Sequence, residues 1–202
     1  AWFLAQNADF NGSVLVIERD PSYALAATSH TNSCIRQQFS NPLNVQISQF
    51  GAEFVQNLPR YMGAASGAPS LKIQNFGYMY LADTPAFAAI LQDNQRLQAV
   101  CGAGTQYMTR DQIAAAYPFY QLDDIIGGNH NLQDEGYFEG STLFDWWKRK
   151  ARQNGVEYIT NEVVSIQRTG DRIESVTLAS GERVACGWLV NASGTRGAKT
   201  AA

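Results

Sequence analysis

The 202-residue sequence has little of several features on which specialised protein classes depend. Its three cysteines, Cys34, Cys101 and Cys186, are odd in number and far apart, which excludes a disulfide-stapled scaffold and favours a reducing compartment. Its two histidines have no companions at ligand spacing, so no metal site is predicted. No stretch of about 18 apolar residues occurs, and a membrane-spanning helix is therefore not predicted.

Charge is also sparse. The chain carries 15 Lys and Arg residues against 18 Asp and Glu residues, a net charge of −3, with no basic cluster. This distribution excludes a basic nucleic-acid-binding surface. What the chain does have is 45% hydrophobic and 11% aromatic residues, the composition of a folded protein with one or two cores.

The opening of the chain predicts a helix, a loop and a buried strand. Residues 1–8 are strong helix formers without a start signal, residues 7–12 are a turn-rich break, and residues 13–18 are an apolar run ending in an acid. Such a run is typical of a strand buried on both faces in a parallel sheet. We interpret the opening as the second half of a βαβ unit, and we expect its first strand and Gly-rich turn to precede Ala1.

The remaining elements are predicted from hydrophobic periodicity, caps and turn signals. Helices are predicted over 43–62, 85–100, 109–118 and 141–154. Strands are predicted over 71–81, 125–132, 173–178 and 188–194, the last being a second buried strand, and a pair of short strands over 156–166. A small-residue linker at 63–69 separates the first part of the chain from the middle.

Glu18 is the first candidate functional residue. In dinucleotide-binding βαβ units, an acid at the tip of the second strand accepts hydrogen bonds from a ribose hydroxyl, about 20 residues after the Gly-rich turn. Glu18 has that position, and the small residues 192–194 would let a cofactor phosphate approach the backbone. The alternatives are a solvated strand end at Glu18 and an ordinary strand exit at 192–194.

Four segments together resemble the D-amino-acid-oxidase-type FAD-dependent oxidoreductases, a group of glutathione-reductase-like flavoproteins. They are VLVIERD (14–20), TSHTNSCIRQQFS (28–40), EGYFEGSTLFDWWKRKARQNGVEYITNEVVSI (135–166) and LVNASGTRG (189–197). The IRQQFS string is similar to the branch that contains sarcosine- and dimethylglycine-oxidising enzymes and a mitochondrial FAD-dependent oxidoreductase-domain assembly factor. The order and spacing of the segments are more specific than any one motif.

The resemblance implies an α/β fold with a Rossmann-like FAD-binding domain of the glutathione reductase type and an inserted mixed-sheet α+β substrate domain. We expect residues 1–66 and 141–202 to form the FAD-binding domain, incomplete because it lacks the first strand and the Gly-rich turn. We expect residues 67–140 to form part of the substrate domain. The piece by itself is expected to be inactive.

The resemblance also implies a set of FAD contacts. They are Glu18 at the adenosine ribose with Arg19 beside it, Thr28, Ser29 and His30 along the pyrophosphate and isoalloxazine, Val163 and Val164 at the adenine, and Ala192, Ser193 and Gly194 along the flavin pyrophosphate. His30 has two interpretations, a covalent flavin link or a hydrogen-bonding loop residue. No catalytic residue is assigned.

Arg36 is the candidate for binding substrate. It resembles an arginine that faces the substrate carboxylate in the amine-oxidising branch, and a planar guanidinium suits a carboxylate. The alternative is an ion pair with Asp123 or Glu53. Tyr78 and Tyr80 either line a substrate face or belong to the core.

The function implied by the resemblance is FAD-dependent oxidation of a C–N bond in a small amine or amino acid, such as sarcosine, dimethylglycine or a D-amino acid, by hydride transfer to flavin N5. The electron acceptor would be dioxygen or an electron-transfer protein. Two alternatives stay open: a 2-hydroxy-acid or glycerol-phosphate dehydrogenase of the same fold, and a flavin-binding assembly protein with little turnover. The expected location is the cytoplasm, or the mitochondrial matrix in a eukaryote.

Overall fold

The computed structural model describes residues 1–201, which divide into two units, one formed by residues 1–31 and 143–201 and the other by residues 32–142. The helices are, in chain order, α1 (Trp2–Gln6), α2 (Pro42–Gln56), α3 (Leu58–Met62), α4 (Pro85–Val100), α5 (Arg110–Ala116), α6 (Gly140–Gln153) and α7 (Gly197–Ala201). The strands are β1 (Leu15–Glu18), β2 (Cys34–Ile35), β3 (Tyr78–Ala82), β4 (Gln106–Thr109), β5 (Gly127–Asn131), β6 (Gly136–Tyr137), β7 (Glu157–Thr160), β8 (Val163–Thr169), β9 (Arg172–Leu178) and β10 (Arg183–Ala185).

The first unit is built on a parallel pair of strands. β1 pairs with β7, with Leu15 opposite Glu157 and Glu18 opposite Thr160, so the predicted parallel arrangement is confirmed. The predicted burial of this strand on both faces is wrong, because all four β1 residues are half-buried. In residues 1–201, β7 is the one strand that pairs with β1, so the other edge of β1 has no neighbouring strand to cover it.

The core of the first unit lies under α6 and a three-stranded antiparallel sheet. The sheet has the order β10–β9–β8, which agrees with the turns predicted from the sequence. The most deeply buried apolar side chains of this unit are Trp146, Ala151, Val156, Val176 and Leu178. The ring of Trp2 in α1 lies 5.8 Å from that of Trp146, so α1 packs on α6.

The second buried strand, predicted over 188–194, is not present. In the described part of the chain this segment pairs with no strand. The side chains of Trp188 and Val190 are 93% and 80% exposed. An apolar run forms a buried strand only when neighbouring strands supply partners for its backbone groups.

The second unit is centred on an antiparallel sheet with the order β3–β5–β4. The described strand pairs are antiparallel, which corrects the expectation of a mixed sheet. Helix α4 begins where it is predicted, because Thr84 accepts a hydrogen bond from the Phe87 N–H and Pro85 occupies the first turn. Its residues Ala88 and Leu91 pack against Ala82 of β3 to form a buried cluster.

Two predicted elements of the second unit are shorter than expected. The helix predicted over 43–62 is divided into α2 and α3 at Asn57. Pro59 explains the division, because a proline lacks the N–H and clashes with the carbonyl four residues earlier. The strand predicted over 71–81 is regular only from Tyr78, because Gly77 has φ +82 and interrupts the extended backbone.

Residues 32–66 are predicted to belong to the FAD-binding domain, whereas in the structure they belong to the second unit. These residues pack with the middle of the chain, since β2 pairs with β6 and the Gln37 N–H donates to Glu135. The assignment of residues 1–66 and 141–202 to FAD binding and of 67–140 to substrate binding stays a prediction.

Gly136 is the tightest backbone position in the second unit. Its φ is +148, and a Cβ atom added there would lie 1.9 Å from the Gln74 carbonyl oxygen. Gly136 also pairs with Ile35 across the β2–β6 ladder, and its neighbour Tyr137 forms a bridge to Gln74. Any side chain at this position must therefore displace backbone.

We expect Gly136→Ala to lower the free energy of unfolding by about 2–5 kcal/mol, because it combines backbone strain with overpacking. Urea denaturation measures the change. Gly187→Ala is the matched control: its Cβ would meet nothing within 4 Å, so it should stay within about 0.5 kcal/mol of the wild type. Equal stabilities of the two variants would contradict the close approach at Gly136.

Candidate functional site

The carboxylate of Glu18 lies at the carboxyl end of β1 and is partly held by the following turn. Its Oε1 accepts the Asp20 N–H at 2.9 Å, and no hydrogen bond to Oε2 is described within residues 1–201. Asp20 in turn accepts the N–H groups of Ser22 and Ala24. A hydrogen bond from the Ser22 side chain has the largest effect on the pKa of Asp20, and together with the bonds from the N–H groups it holds that pKa below its usual value. The turn therefore fixes one oxygen of Glu18 and leaves the other available.

Side chains of helix α6 pack against this turn. The Lys148 ammonium lies 4.5 Å from the centre of the Tyr23 ring and donates to the Pro21 carbonyl at 3.1 Å. The Tyr23 ring also meets Phe144 edge-on at 4.8 Å. Tyr23 has φ +57, an unusual conformation for a large side chain that these contacts stabilise. The residues after Glu18 are thus set by contacts with α6.

The small-residue stretch after this turn is exposed. Thr28 and Ser29 belong to a single 3-10 turn over Ala27–Ser29, and His30 follows it. The Ser29 hydroxyl donates to the Tyr23 carbonyl at 2.7 Å, which ties the stretch to the turn beyond Glu18.

The other predicted cofactor residues also lie in the first unit. Val163 begins β8 and is half-buried, and Val164 is 60% exposed. Ala192 and Ser193 are exposed in an irregular loop, and the exposed Gly194 begins a 3-10 turn over Gly194–Arg196 that leads into α7.

Asn191 organises this loop: its side chain accepts the Ser193 N–H at 3.2 Å and donates to the Gly197 carbonyl at 2.8 Å. Gly194 has φ +56, a conformation for which glycine is suited. The Asn-Ala-Ser-Gly segment is therefore a structured turn with accessible backbone rather than the end of a strand.

Arg36 lies in the second unit and is bracketed by aromatic rings. Its Cζ atom is 4.7 Å from the centre of the Phe39 ring and 5.6 Å from that of Tyr80. Its Nε is buried without a hydrogen-bond partner. Tyr80 contacts Arg36 and also packs against the buried cluster of Ala82, Ala88 and Leu91, so a place for it at a substrate face stays a prediction.

The two ion pairs considered for Arg36 are not formed. Glu53 accepts the Tyr61 hydroxyl at 2.8 Å and pairs with Arg60 at 3.5 Å. Asp123 accepts the Gln121 side-chain amide at 2.6 Å. Arg36 is therefore held by aromatic contacts, with no ion pair to an acid described within residues 1–201.

Glu135 is the functional candidate that the sequence did not reveal. It is 0% exposed, and its carboxylate accepts the Gln37 N–H at 2.7 Å and the Gln38 side-chain amide at 2.9 Å. Burial raises the pKa of Glu135 above its usual value, and hydrogen bonds from Gln38, Gln37 and Asn131 and the charge of Arg36 offset only part of this increase. The sequence placed this residue in a matching segment, but no pattern indicated that a glutamate would be buried there.

Tyr78 completes the surroundings of Arg36. Burial and a hydrogen bond with Cys34 raise the pKa of Tyr78 to about 12, while the charge of Arg36 acts in the opposite direction. Tyr78 is therefore neutral at physiological pH. Its carbonyl also accepts the Gln38 side-chain amide at 3.0 Å.

The chain matches a known family along the described length. The family model described as FAD dependent oxidoreductase (DAO) matches residues 1–201. The chain is 32% identical to FAD-dependent oxidoreductase domain-containing protein 1 of Xenopus laevis, over 100% of this chain and 44% of the relative. It is 34% identical to the protein of the same name from Bos taurus, over 85% of this chain and 35% of the relative.

Solved structures show the same fold. L-proline dehydrogenase from P. horikoshii superposes with a TM-score of 0.73 at 21% identity, over 98% of this chain and 50% of that one. Glycine oxidase from Geobacillus kaustophilus superposes with a TM-score of 0.69 at 18% identity, over 92% and 49% of the two chains. These likenesses establish the α/β fold of these flavoenzymes over about half of their length.

The chain belongs to the DAO family of FAD-dependent oxidoreductases, and FAD is the family's cofactor. It spans less than half the length of each of these two curated relatives. None of the helices described is long and apolar enough to cross a membrane.

The residues of the first unit fit the adenosine part of FAD. Glu18 follows a strand in a parallel pair and presents an oxygen with no described hydrogen bond, as a ribose hydroxyl requires. In the exposed, small-residue turn at 192–194 the Ser193 N–H is bound by Asn191, which leaves the N–H groups of Ala192 and Gly194, without bulky side chains, for a phosphate.

Replacing Arg36 by Met tests whether this arginine is structural. We expect the free energy of unfolding to change by less than about 1 kcal/mol, because Met keeps contact with the two rings and removes a buried N–H that has no partner, which offsets the loss of the Arg36 charge near Glu135. Urea denaturation measures it, with the exposed Arg60→Met as the control. A loss above about 2 kcal/mol at Arg36 alone would contradict a binding role.

Proposed function

We propose that the whole protein uses FAD to oxidise a C–N bond of a small amine or amino acid that carries a carboxylate. The observation that carries this proposal is the Arg36 guanidinium, bracketed by Phe39 and Tyr80 and not paired with an acid in the described residues. A permanently charged, half-buried side chain that forms no direct ion pair is suited to an anionic ligand.

The surroundings of Arg36 define what it can bind. The Arg36 guanidinium lies against two aromatic rings, and a planar guanidinium binds a carboxylate through two parallel hydrogen bonds. Tyr78, neutral because its pKa is raised to about 12, adds a polar group nearby without adding negative charge. Arg36 would thus bind and orient the carboxylate of the substrate.

The cofactor role falls on the first unit. We assign the ribose hydroxyls to Glu18 with Arg19 beside it, and the remaining contacts to Thr28, Ser29, His30, Val163, Val164, Ala192, Ser193 and Gly194. When bound, FAD would accept a hydride from the carbon next to the amine nitrogen. The names of the proline dehydrogenase and the glycine oxidase state amino-acid substrates for those proteins, which supports an amino acid or amine here.

The experiment that tests this function uses the full-length protein. We expect it to be yellow as purified and its flavin absorbance to be bleached anaerobically by an amine that carries a carboxylate, with sarcosine, dimethylglycine and glycine as probes. Bleaching by lactate or glycerol phosphate alone would indicate the dehydrogenase alternative. A yellow protein that none of these probes bleaches would favour a flavin-binding assembly role, and a colourless protein would contradict all three.

We expect Glu18→Gln to weaken FAD binding by about 10–100-fold, because a charge-assisted hydrogen bond to the ribose becomes a neutral one. Titration of the full-length apoprotein with FAD, followed by flavin fluorescence, gives the dissociation constant. Glu157→Gln is the matched control, since Glu157 is an exposed acid on the neighbouring strand β7, opposite the other end of β1. An unchanged dissociation constant for Glu18→Gln would leave that residue a solvated strand end.

A further inference from the structure

A buried carboxylate lies next to the arginine proposed to bind substrate. Glu135 is 0% exposed and is the one charged side chain among the buried residues of the described chain. Its contacts are with residues remote in sequence: Gln37 is 98 positions away. Because a buried charge is costly unless fully hydrogen-bonded, its presence requires an explanation.

Glu135 and Gly136 contact the residues on both sides of Arg36. Gly136 pairs with Ile35, which precedes Arg36, across the β2–β6 ladder. The Glu135 carboxylate accepts the N–H of Gln37, which follows Arg36, at 2.7 Å. The backbone of Arg36 is thus fixed from one short segment.

The side chain of Gln38 extends this arrangement. Its Nε2 donates both to Glu135 at 2.9 Å and to the Tyr78 carbonyl at 3.0 Å. Tyr78 precedes Tyr80 in strand β3, and Tyr80 is one of the two rings that bracket Arg36. Glu135 is therefore connected to the backbone of Arg36 and, through Gln38, to the strand that carries this ring.

The two donors that meet Glu135 favour its ionised form, in opposition to the burial that raises its pKa. A carboxylate is an acceptor only, so the Gln37 N–H and the Gln38 amide are both satisfied by it. A glutamine at 135 would direct an amide N–H₂ group towards one of these donors. A carboxylate fits this position and an isosteric amide does not.

We propose that Glu135 is a positioning residue that holds Arg36 and its aromatic bracket in the geometry that selects a carboxylate-bearing ligand. This proposal rests on the proposed function, because it requires Arg36 to bind that carboxylate. Glu135 does not touch the ligand and acts through Gln37, Gln38 and the backbone of Arg36.

The experiment compares two small ligands that cannot be oxidised as amines. Methoxyacetate is the oxygen isostere of N-methylglycine, and methoxyacetamide is its neutral counterpart. Titration calorimetry on the full-length, FAD-loaded protein measures both affinities without turnover. We expect Glu135→Gln to weaken methoxyacetate binding about tenfold or more and to leave methoxyacetamide binding unchanged, because a small displacement of an orienting group is costly.

Two further variants keep the test decisive. Gln38→Met removes the bond from Nε2 but keeps the carboxylate and its bond to Gln37, so it is measured even if Glu135→Gln does not fold. It should weaken methoxyacetate binding in the same selective way. Asp134→Asn is the control: it removes a neighbouring negative charge, its φ of +53 suits Asn, and its oxygen can still accept from Gln56. Equal weakening of both ligands by Gln38→Met would show a structural role and overturn the proposal.

A double-variant cycle separates this proposal from the proposed function. If Glu135 acts through Arg36, adding Glu135→Gln or Gln38→Met to Arg36→Met causes no further loss of methoxyacetate affinity. A full further loss in the Arg36→Met background would overturn the positioning role and leave the role of Arg36 intact. If Arg36→Met itself leaves methoxyacetate binding unchanged, the proposed function fails first.

Discussion

The hydrogen bonds from Gln37 and Gln38 to the buried Glu135 carboxylate are the constraint on which the arrangement of the second unit depends. They join two short strands, β2 and β6, that are too short to be stable alone, and they connect these to β3 through the Tyr78 carbonyl. Removing one partner of a buried charge leaves the other unsatisfied, so this network has no half-formed state of low energy. It therefore restricts the segment on which Arg36 lies to one conformation.

The two units use polar groups in different ways. In the second unit, amide side chains are buried: Gln37, Gln38, Gln98, Asn129 and Asn131 are all nearly inaccessible to solvent. In the first unit, the candidate cofactor groups are exposed or half-buried on turns that are fixed by local bonds, such as those of Asp20 and Asn191. Buried networks specify one orientation of a side chain, whereas exposed turns leave backbone groups accessible to a large cofactor.

The elements that could be predicted from the sequence have local causes. Helix α4 is predicted by Thr84 and Pro85, helix α6 by its apolar face and Gly155, and the β8–β9–β10 sheet by its turns. The run at 188–194 is predicted to be a strand from its apolar composition, and that prediction is wrong. Whether it becomes one depends on neighbouring strands, and residues 1–201 contain none that pairs with it.

By itself, the sequence determined the family and most of the regular elements, because motif order, caps and periodicity are properties of neighbouring residues. It also singled out Glu18 and Arg36, by their place in matching segments. Only the tertiary structure decided that Arg36 is bracketed by Phe39 and Tyr80 rather than paired with Glu53 or Asp123. It alone revealed Glu135, because a glutamate becomes a buried acceptor only when residues 97 and 98 positions away supply the N–H donors.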